Sequence, residues 1–218
     1  MAGLSGCATT ANNPKDPFEG FNRVMFSVNE GIDVVVKPVA QGYDKVAPTP
    51  VKTGIGNFFG NIADIWIAVN SFLQGKPADG FSDIGRVLVN STLGIVGLID
   101  VASEMGLEKH AEDFGQTLGT WGVEGGPYLF WPVIGPRNVR DTFGFVVDVS
   151  ADPVPHVDHV PTRNTLMGVR FIDLRASLLP ADKVVEQAAF DKYNYIRDAY
   201  FQNRRSAIYD GNPPPLED

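Results

Sequence analysis

The segment from Thr49 to Gly75 constrains the fold most, because it forms a long helical pattern that is apolar on most sides. Its threonine-proline start and its glycine end are typical helix boundaries. A helix without a polar face is either fully buried or exposed to lipid. Its longest apolar tract, Ile62 to Gly75, is interrupted by Asp64 and Asn70 and is shorter than the ~18 residues of a spanning helix. We therefore expect this helix to contact lipid or a core without crossing a bilayer.

Apolar residues recur at helical spacing along most of the remaining chain. A first helix is predicted from apolar residues three and four positions apart, namely Phe18, Phe21, Met25, Val28 and Ile32. We expect Asp16 to cap it and Pro38 to end it, because proline removes a backbone hydrogen bond. Further helices are predicted over 78–92, within 94–106, from 114, over 136–151, within 165–179 and within 189–211.

Glycine and proline interrupt the helical pattern at two places. The stretch 123–141 combines both residue types with an aromatic-aliphatic run and predicts a loop or a short hairpin. A proline-rich connector precedes the segment 165–179. Because the chain has no series of alternating strands, it predicts an all-α fold. The folded region is expected at 16–210, after a flexible tether at 1–15 and before a disordered tail at 211–218.

The charge of the chain excludes one broad class of partner. The formal net charge is −8, the isoelectric point is about 4.8, and Lys and Arg form no long run. Nucleic-acid binding requires a basic surface that displaces counterions from phosphates. We therefore expect no nucleic-acid partner and no polybasic attachment to anionic lipid.

The only cysteine, Cys7, follows Leu-Ser-Gly and precedes the polar run ATTANNPK. Leu-Ser-Gly-Cys resembles the lipobox of bacterial lipoproteins, in which cleavage before the cysteine leaves a sulfur that carries diacylglycerol, and the residues before Cys7 are interpreted as a signal remnant. Acyl chains here would anchor the protein, since each buried CH₂ contributes ~0.8 kcal/mol. Ala8 stands where an aspartate would retain such proteins at the inner membrane, which favours the outer membrane. The alternative is an ordinary free thiol in a flexible N-terminus.

The sequence assembles no catalytic or metal site. The run Gly80 to Ile84 lacks the second glycine of a G-x-S-x-G nucleophile motif. The glycines between Gly54 and Gly60 have the wrong spacing for a dinucleotide site. His156 and His159 match no familiar metal-ligand spacing and are expected to be solvated, and His110 is expected to be exposed. We predict no enzyme activity, no cofactor and no metal.

Two regions are candidate functional sites. The first is a polar patch at the start of the first helix, formed by Asp16, Glu19, Asn22 and Arg23. The last three occupy adjacent helical positions and would share one face. The alternative is helix capping together with a surface ion pair.

The second region is rich in glycine and aromatic residues. Its glycines, followed by Pro127, permit backbone shapes that other residues resist, and they are Gly119, Gly122, Gly125 and Gly126. Aromatic side chains suit a membrane interface, and the candidates for facing the membrane are Trp66, Trp121, Tyr128, Phe130 and Trp131. The alternative for this region is a tight turn with aromatic residues in the core.

Several blocks together resemble the MlaA (VacJ) family of outer-membrane lipoproteins. In order from Asp16 to Asp141 they are DPFEGFNRVMF, KPVAQGYDKVAP, NSTLGIVGLIDVA, EDFGQTLGTWGV and GPYLFWPVIGPRNVRD. The block RDAYFQNR, from Arg197 to Arg204, also fits. The resemblance covers nearly the whole folded region and rests on independent motifs. The chain departs from the family in lacking a complete signal peptide and in having a short acidic tail.

The resemblance implies a compact, ring-like arrangement of helices in the inner leaflet of the outer membrane, beside a trimeric porin. Such proteins take phospholipids that have strayed into the outer leaflet through an amphipathic channel. They pass these lipids to a soluble periplasmic carrier of the MlaC type, which maintains lipid asymmetry. On this basis Cys7 would anchor the protein on the periplasmic face, the polar patch would line the channel, and the loop Gly119 to Pro127 would gate it.

Two other functions remain open from the sequence. A purely structural lipoprotein could brace a porin without moving lipid. A lipid hydrolase would need a nucleophile or a metal site, neither of which the sequence supplies.

Overall fold

The computed structural model describes residues 13–215, and Cys7 and residues 216–218 lie outside this range. The helices are α1 (Glu19–Val46), α2 (Thr49–Leu73), α3 (Pro77–Thr92), α4 (Val101–Glu104), α5 (Phe114–Thr120), α6 (Val139–Ala151), α7 (Val160–Ser177), α8 (Leu179–Ala188) and α9 (Lys192–Ile208). Between α5 and α7 lie two strands and a 3₁₀ turn, namely β1 (Tyr128–Trp131), β2 (Gly135–Asn138) and Val154–His156. The predicted all-α class is confirmed.

The first helix continues through Pro38, so the prediction that it ends there is wrong. Proline removes one hydrogen bond of the helix ladder, but tertiary packing on both sides of it offsets that loss. Beyond the proline, Ala40 is fully buried in a cluster with Ala176 and Leu179. α1 therefore packs on the C-terminal part of α7 and reaches the start of α8.

α5 and α6 each begin at a side-chain cap. Asp113 Oδ1 accepts from the backbone N–H of Gln116 at 2.8 Å, and Asn138 Oδ1 accepts from that of Asp141 at 2.7 Å. The prediction that a helix restarts at Pro136 is wrong by three residues, because Gly135–Asn138 pairs with β1 as a strand.

α5 and α6 approach each other where Gly115 faces Gly144. A Cβ atom added to Gly144 would lie 2.5 Å from the backbone nitrogen of Gly115 and 2.7 Å from its Cα. Only a residue without a side chain permits this backbone contact. The pair therefore sets the distance between the two helices.

The two strands form an antiparallel hairpin in which Tyr128 lies opposite Asn138. One face of β1 packs into the core against α1 and α9. The ring of Phe130 lies 5.4 Å from that of Phe26, and the ring of Tyr128 lies 6.2 Å from that of Tyr193, both in edge-to-face arrangements. The hairpin thereby joins the two ends of the chain.

The packed elements follow one another in a closed circuit. α1 packs on α7, α7 on α2, α2 on α5, α5 on α9, and α9 on β2. The hairpin then closes the circuit, since β1 pairs with β2 and packs on α1. This circuit agrees with the ring-like arrangement that the family resemblance implied.

None of the helices described between residues 13 and 215 is long and apolar enough to span a membrane.

Candidate functional site

The surface of the protein carries large apolar side chains on most of its helices. On α1, Val34 and Val46 are 74% and 81% exposed, and on α3 Phe81 is 68% exposed. α2 and α6 expose Ile65 and Phe143 in the same way. Large apolar patches on a soluble monomer usually mark a membrane or protein contact.

The interior is unusually polar. Among residues 13–215, buried side chains are more often polar or charged than apolar. The largest fully buried side chain is Arg86 on α3, which lies 3.3 Å from Asp64 on α2 and 2.8 Å from Asp100 beside α4. Charged hydrogen bonds therefore hold these three helices together where a soluble protein would bury apolar side chains.

Asp16 and Asn22 lie beneath the hairpin. Asn22 is fully buried and donates to Asp16 Oδ1 at 2.8 Å and to the Tyr128 carbonyl at 3.0 Å. Its own Oδ1 accepts from the Phe130 backbone N–H at 2.9 Å, and Asp16 accepts from the Tyr193 hydroxyl at 2.6 Å. The structure contradicts the prediction that Asp16 and Asn22 line a channel, because protein partners enclose their polar atoms.

Glu19 and Arg23 form a surface ion pair on α1. Arg23 Nε donates to Glu19 at 2.7 Å and Nη2 donates to Asp191 at 2.8 Å. The hydrogen bond to Asp191 raises the pKa of Arg23. The predicted N-cap is wrong, since Phe18 holds the cap position and Asp16 bonds elsewhere. A channel-lining role for Glu19 and Arg23 stays a prediction.

The glycine-rich loop is packed against the start of α6. Gly119 lies within α5, and Gly122 and Gly126 have φ values of +87° and +67°. A Cβ atom on Gly125 would lie 2.5 Å from the side-chain amide nitrogen, Nδ2, of Asn138. The shape of the loop thus depends on its glycines, whereas its gating role stays a prediction.

The five aromatic candidates lie in different environments. Trp121 is 54% exposed, and its contact with a membrane stays a prediction. Tyr128 and Phe130 are 0% and 3% exposed, so the prediction that they face a membrane is wrong, because this face of β1 packs on α1 and α9. Trp131 and Trp66 are half-buried, and Trp66 lines an interior cavity.

A cavity of about 280 Å³ lies between α1, the hairpin, α7 and α8, and we call it the hairpin cavity. Its apolar wall includes Phe26, Val36, Phe130, Ile134, Phe171 and Ile196. Its charged wall consists of Glu30, Asp33, Arg175 and Asp182. The cavity is therefore amphipathic.

Arg175 connects three sides of the hairpin cavity. Its Nε and Nη2 each donate to a carboxylate oxygen of Asp33 on α1 at 2.7 Å, and Nη2 also lies 2.6 Å from Asp182 on α8. The hydrogen bonds raise the pKa of Arg175 and lower that of Asp33. Arg175 and Asp33 are therefore both charged at neutral pH.

A wider groove of about 650 Å³ lies between α8 and α9, and we call it the α8–α9 groove. Small apolar side chains dominate its wall, including Ala181, Val184, Val185, Ala199 and Ala207. It shares Pro136, Leu178 and Ile196 with the hairpin cavity. The two volumes thus adjoin.

A third volume of about 240 Å³ lies between α2, α6 and α7, and we call it the Trp66 cavity. The Trp66 indole donates to Asp148 Oδ1 at 2.8 Å, and Phe145 and Val149 add apolar wall. Burial raises the pKa of Asp148. This cavity also combines apolar walls with a few polar groups, as ligand sites commonly do.

The histidines have structural rather than metal-binding surroundings. Within the described range 13–215, no group of three or more His, Cys, Asp and Glu side chains could hold a metal ion. The prediction that His110 is exposed is wrong, since its Nδ1 lies 3.0 Å from Oδ1 of the fully buried Asp83. His156 and His159 are exposed.

Sequence reasoning did not single out the charged wall of the hairpin cavity. The available signal was weak, because Asp33 and Arg175 look like ordinary charged positions of two amphipathic helices. Their partnership joins positions 142 residues apart. Hydrophobic periodicity reports only the spacing of neighbouring residues, so it cannot predict a contact between positions so far apart.

A closed helical circuit with apolar side chains outside and charged cavities inside defines a class of lipid-contacting α-helical proteins. The chain belongs to the MlaA lipoprotein family, whose model matches residues 14–207. It is 35% identical over 222 residues to the intermembrane phospholipid transport system lipoprotein MlaA of Shigella flexneri, covering 98% of this chain and 88% of the relative. The Escherichia coli K12 protein of the same name gives the same identity and coverage.

A solved structure gives the corresponding result for the fold. It comes from work on the structural basis for maintenance of bacterial outer membrane lipid asymmetry. The TM-score is 0.76 at 34% sequence identity, and the match covers 90% of this chain and 99% of that chain. Family membership and fold agree over nearly all of the described residues.

Proposed function

We propose that this protein removes phospholipids from the outer leaflet of the outer membrane through the cavities of its helical ring, and so maintains lipid asymmetry. The protein would be attached by Cys7 at the periplasmic face, beside a trimeric porin, and would hand lipid to a soluble periplasmic carrier. It would perform no catalysis, and energy would come from partner proteins.

The observation that carries this proposal is the inverted distribution of polarity. Apolar side chains such as Val34 and Phe81 cover the exterior, whereas Arg86 and Arg175 lie inside. A headgroup that crosses hydrocarbon without polar partners pays a large desolvation penalty. An interior with fixed charges lowers that penalty, while the acyl chains stay in contact with apolar surface.

The adjoining volumes support a path through the protein. The hairpin cavity and the α8–α9 groove share three wall residues and bring charged and apolar groups together. Their volumes of about 280 and 650 Å³ suit a small polar headgroup and part of an acyl chain. The relatives named as phospholipid transport lipoproteins support the same assignment.

Filling the α8–α9 groove tests the proposal. Ala181 lines the groove and is exposed, so Ala181→Trp would narrow the path without disturbing a buried core. In a strain that lacks the gene, we expect Ala181→Trp to leave outer-leaflet phospholipid as high as in the empty strain. Ala78→Trp is the matched control, since Ala78 is exposed at the start of α3, away from the groove, and should restore wild-type lipid levels.

Three results would redirect the assignment. Unchanged outer-leaflet lipid after gene loss would overturn transport and favour a structural brace for a porin. Full function of Ala181→Trp, at wild-type abundance and melting temperature, would remove the groove from the path. Release of fatty acid from labelled phospholipid by the purified protein would favour a hydrolase.

A further inference from the structure

Arg137 on β2 is a half-buried cation without an acidic partner. Its Nη1 makes a long hydrogen bond of 3.4 Å to the backbone carbonyl of Asp141. Its Nε is buried and has no hydrogen-bond partner, and no hydrogen bond is made by Nη2 within residues 13–215. The edge formed by Nε and Nη2, which is the edge that binds two oxygens of an anion, is therefore unused.

Seven other arginines differ from Arg137 in this respect. Those that contact a carboxylate within 4.0 Å are Arg23, Arg86, Arg140, Arg170, Arg175, Arg197 and Arg204. The carboxylates nearest to Arg137 are already engaged, because Arg204 lies 2.6 Å from both Asp113 and Asp141. A buried charge is costly unless it is paired.

Arg137 nevertheless keeps its charge. Burial lowers the pKa of its guanidinium, but arginine remains protonated in proteins at neutral pH. The guanidinium carbon lies 4.2 Å from the centre of the Phe145 ring, and this stacking offsets only part of the lost hydration. A half-buried positive charge thus has no counter-charge in direct contact among the described residues.

Two neighbours of Arg137 line the cavities. Phe145, on which it stacks, lines the Trp66 cavity. Pro136, which precedes it, lines both the hairpin cavity and the α8–α9 groove. A headgroup that moved between these volumes would therefore contact residues that adjoin Arg137.

We propose that Arg137 binds the phosphate group of a phospholipid in transit, with Nε and Nη2 donating to two phosphate oxygens. The inference rests on the proposed transport function and assigns a specific anchor to it. Binding at the phosphate, which all phospholipids share, would retain the lipid without selecting one headgroup. Diacylglycerol has the same acyl chains and no phosphate, so it should not be retained.

Photo-crosslinking of the full chain tests the anchor. Phe171 lines the hairpin cavity, and Phe171→p-benzoylphenylalanine keeps an aromatic group there. In detergent micelles, with either phospholipid or diacylglycerol labelled in its acyl chains, we expect about tenfold more crosslinked phospholipid. Arg137→Met should reduce phospholipid to the diacylglycerol level, and Arg137→Lys should retain part of the difference. Arg163→Met, at a half-buried arginine on α7 that lines none of the three cavities described above, should change neither lipid.

Each other outcome has a definite meaning. Preference for phospholipid that persists in Arg137→Met overturns the anchor but leaves transport intact. An equal loss of both lipids in Arg137→Met means that Arg137 only supports Phe145, which also overturns it. Calorimetry could instead show that inorganic phosphate binds only when Arg137 is present, while crosslinking shows no preference between the two lipids. That result would assign a free-phosphate site and overturn the lipid anchor. If the crosslinking protein that retains Arg137 captures no lipid of either kind, the anchor and the transport proposal are overturned together.

Discussion

Replacement of Arg86 by methionine is expected to lower the free energy of unfolding by about 3–5 kcal/mol, the usual cost of breaking a buried charge pair. Arg86 is 1% exposed and donates to Ser103 at 2.9 Å and to the Leu107 carbonyl at 2.7 Å, besides its contacts with Asp64 and Asp100. Asp64 is fully buried, and after the change Lys109 would be the only cation in contact with it among residues 13–215.

The effect can be measured by thermal and denaturant unfolding of the purified protein in detergent. A loss of this size lowers the melting temperature by about 6–20 °C in a chain of this length. Arg163→Met removes a half-buried arginine that forms no ion pair within 4.0 Å among residues 13–215, and it should lower the free energy of unfolding by less than about 0.5 kcal/mol. A loss below about 1 kcal/mol for Arg86→Met would mean that the charged network contributes little to the fold.

The second large effect is expected from Gly144→Ala, which should lower the free energy of unfolding by about 1–3 kcal/mol. The new Cβ atom would lie 2.5 Å from a backbone nitrogen of α5, and backbone cannot rotate away as a side chain can. α5 and α6 would have to separate, and this would also strain the capping of α5 by Asp113.

Gly168→Ala provides the matched control, because no atom lies within 4 Å of a Cβ added at Gly168 within α7. Alanine is the better helix former, so this change should raise stability by about 0.5–1 kcal/mol. The two variants should therefore change the free energy of unfolding in opposite directions when their thermal unfolding is measured side by side. A Gly144→Ala protein as stable as the parent would show that α5 and α6 can repack.

The parts of the fold that follow from local signals were predictable from the sequence. The start of α2 at Thr49, the cap of α5 at Asp113 and the hairpin within 123–141 each depend on a few neighbouring residues. The end of α1 was not predictable, since packing around Ala40 outweighs the local effect of Pro38. The helix α8, at Leu179–Ala188, was also missed.

The candidate site was less predictable, for the same physical reason. Asn22 looked like a surface residue at a helix start, but its partner Tyr128 is 106 residues away. Tyr128 and Trp121 both looked suited to a membrane interface. Only the packing of β1 on α1 and α9 decides that the first is buried while the second is exposed.

The inverted polarity also sets which substitutions the chain can accept during evolution. Interior arginines such as Arg86 form directional contacts with several partners, and lysine does not reproduce that planar fork. We therefore expect the residues at these positions to be replaced slowly during evolution, although a hydropathy scale would assign arginine to the surface. Exterior positions such as Val34 and Phe81 should exchange freely among apolar types. For this protein we therefore expect slow change at buried charged positions and faster change at exposed apolar ones, the reverse of the pattern usual in soluble proteins.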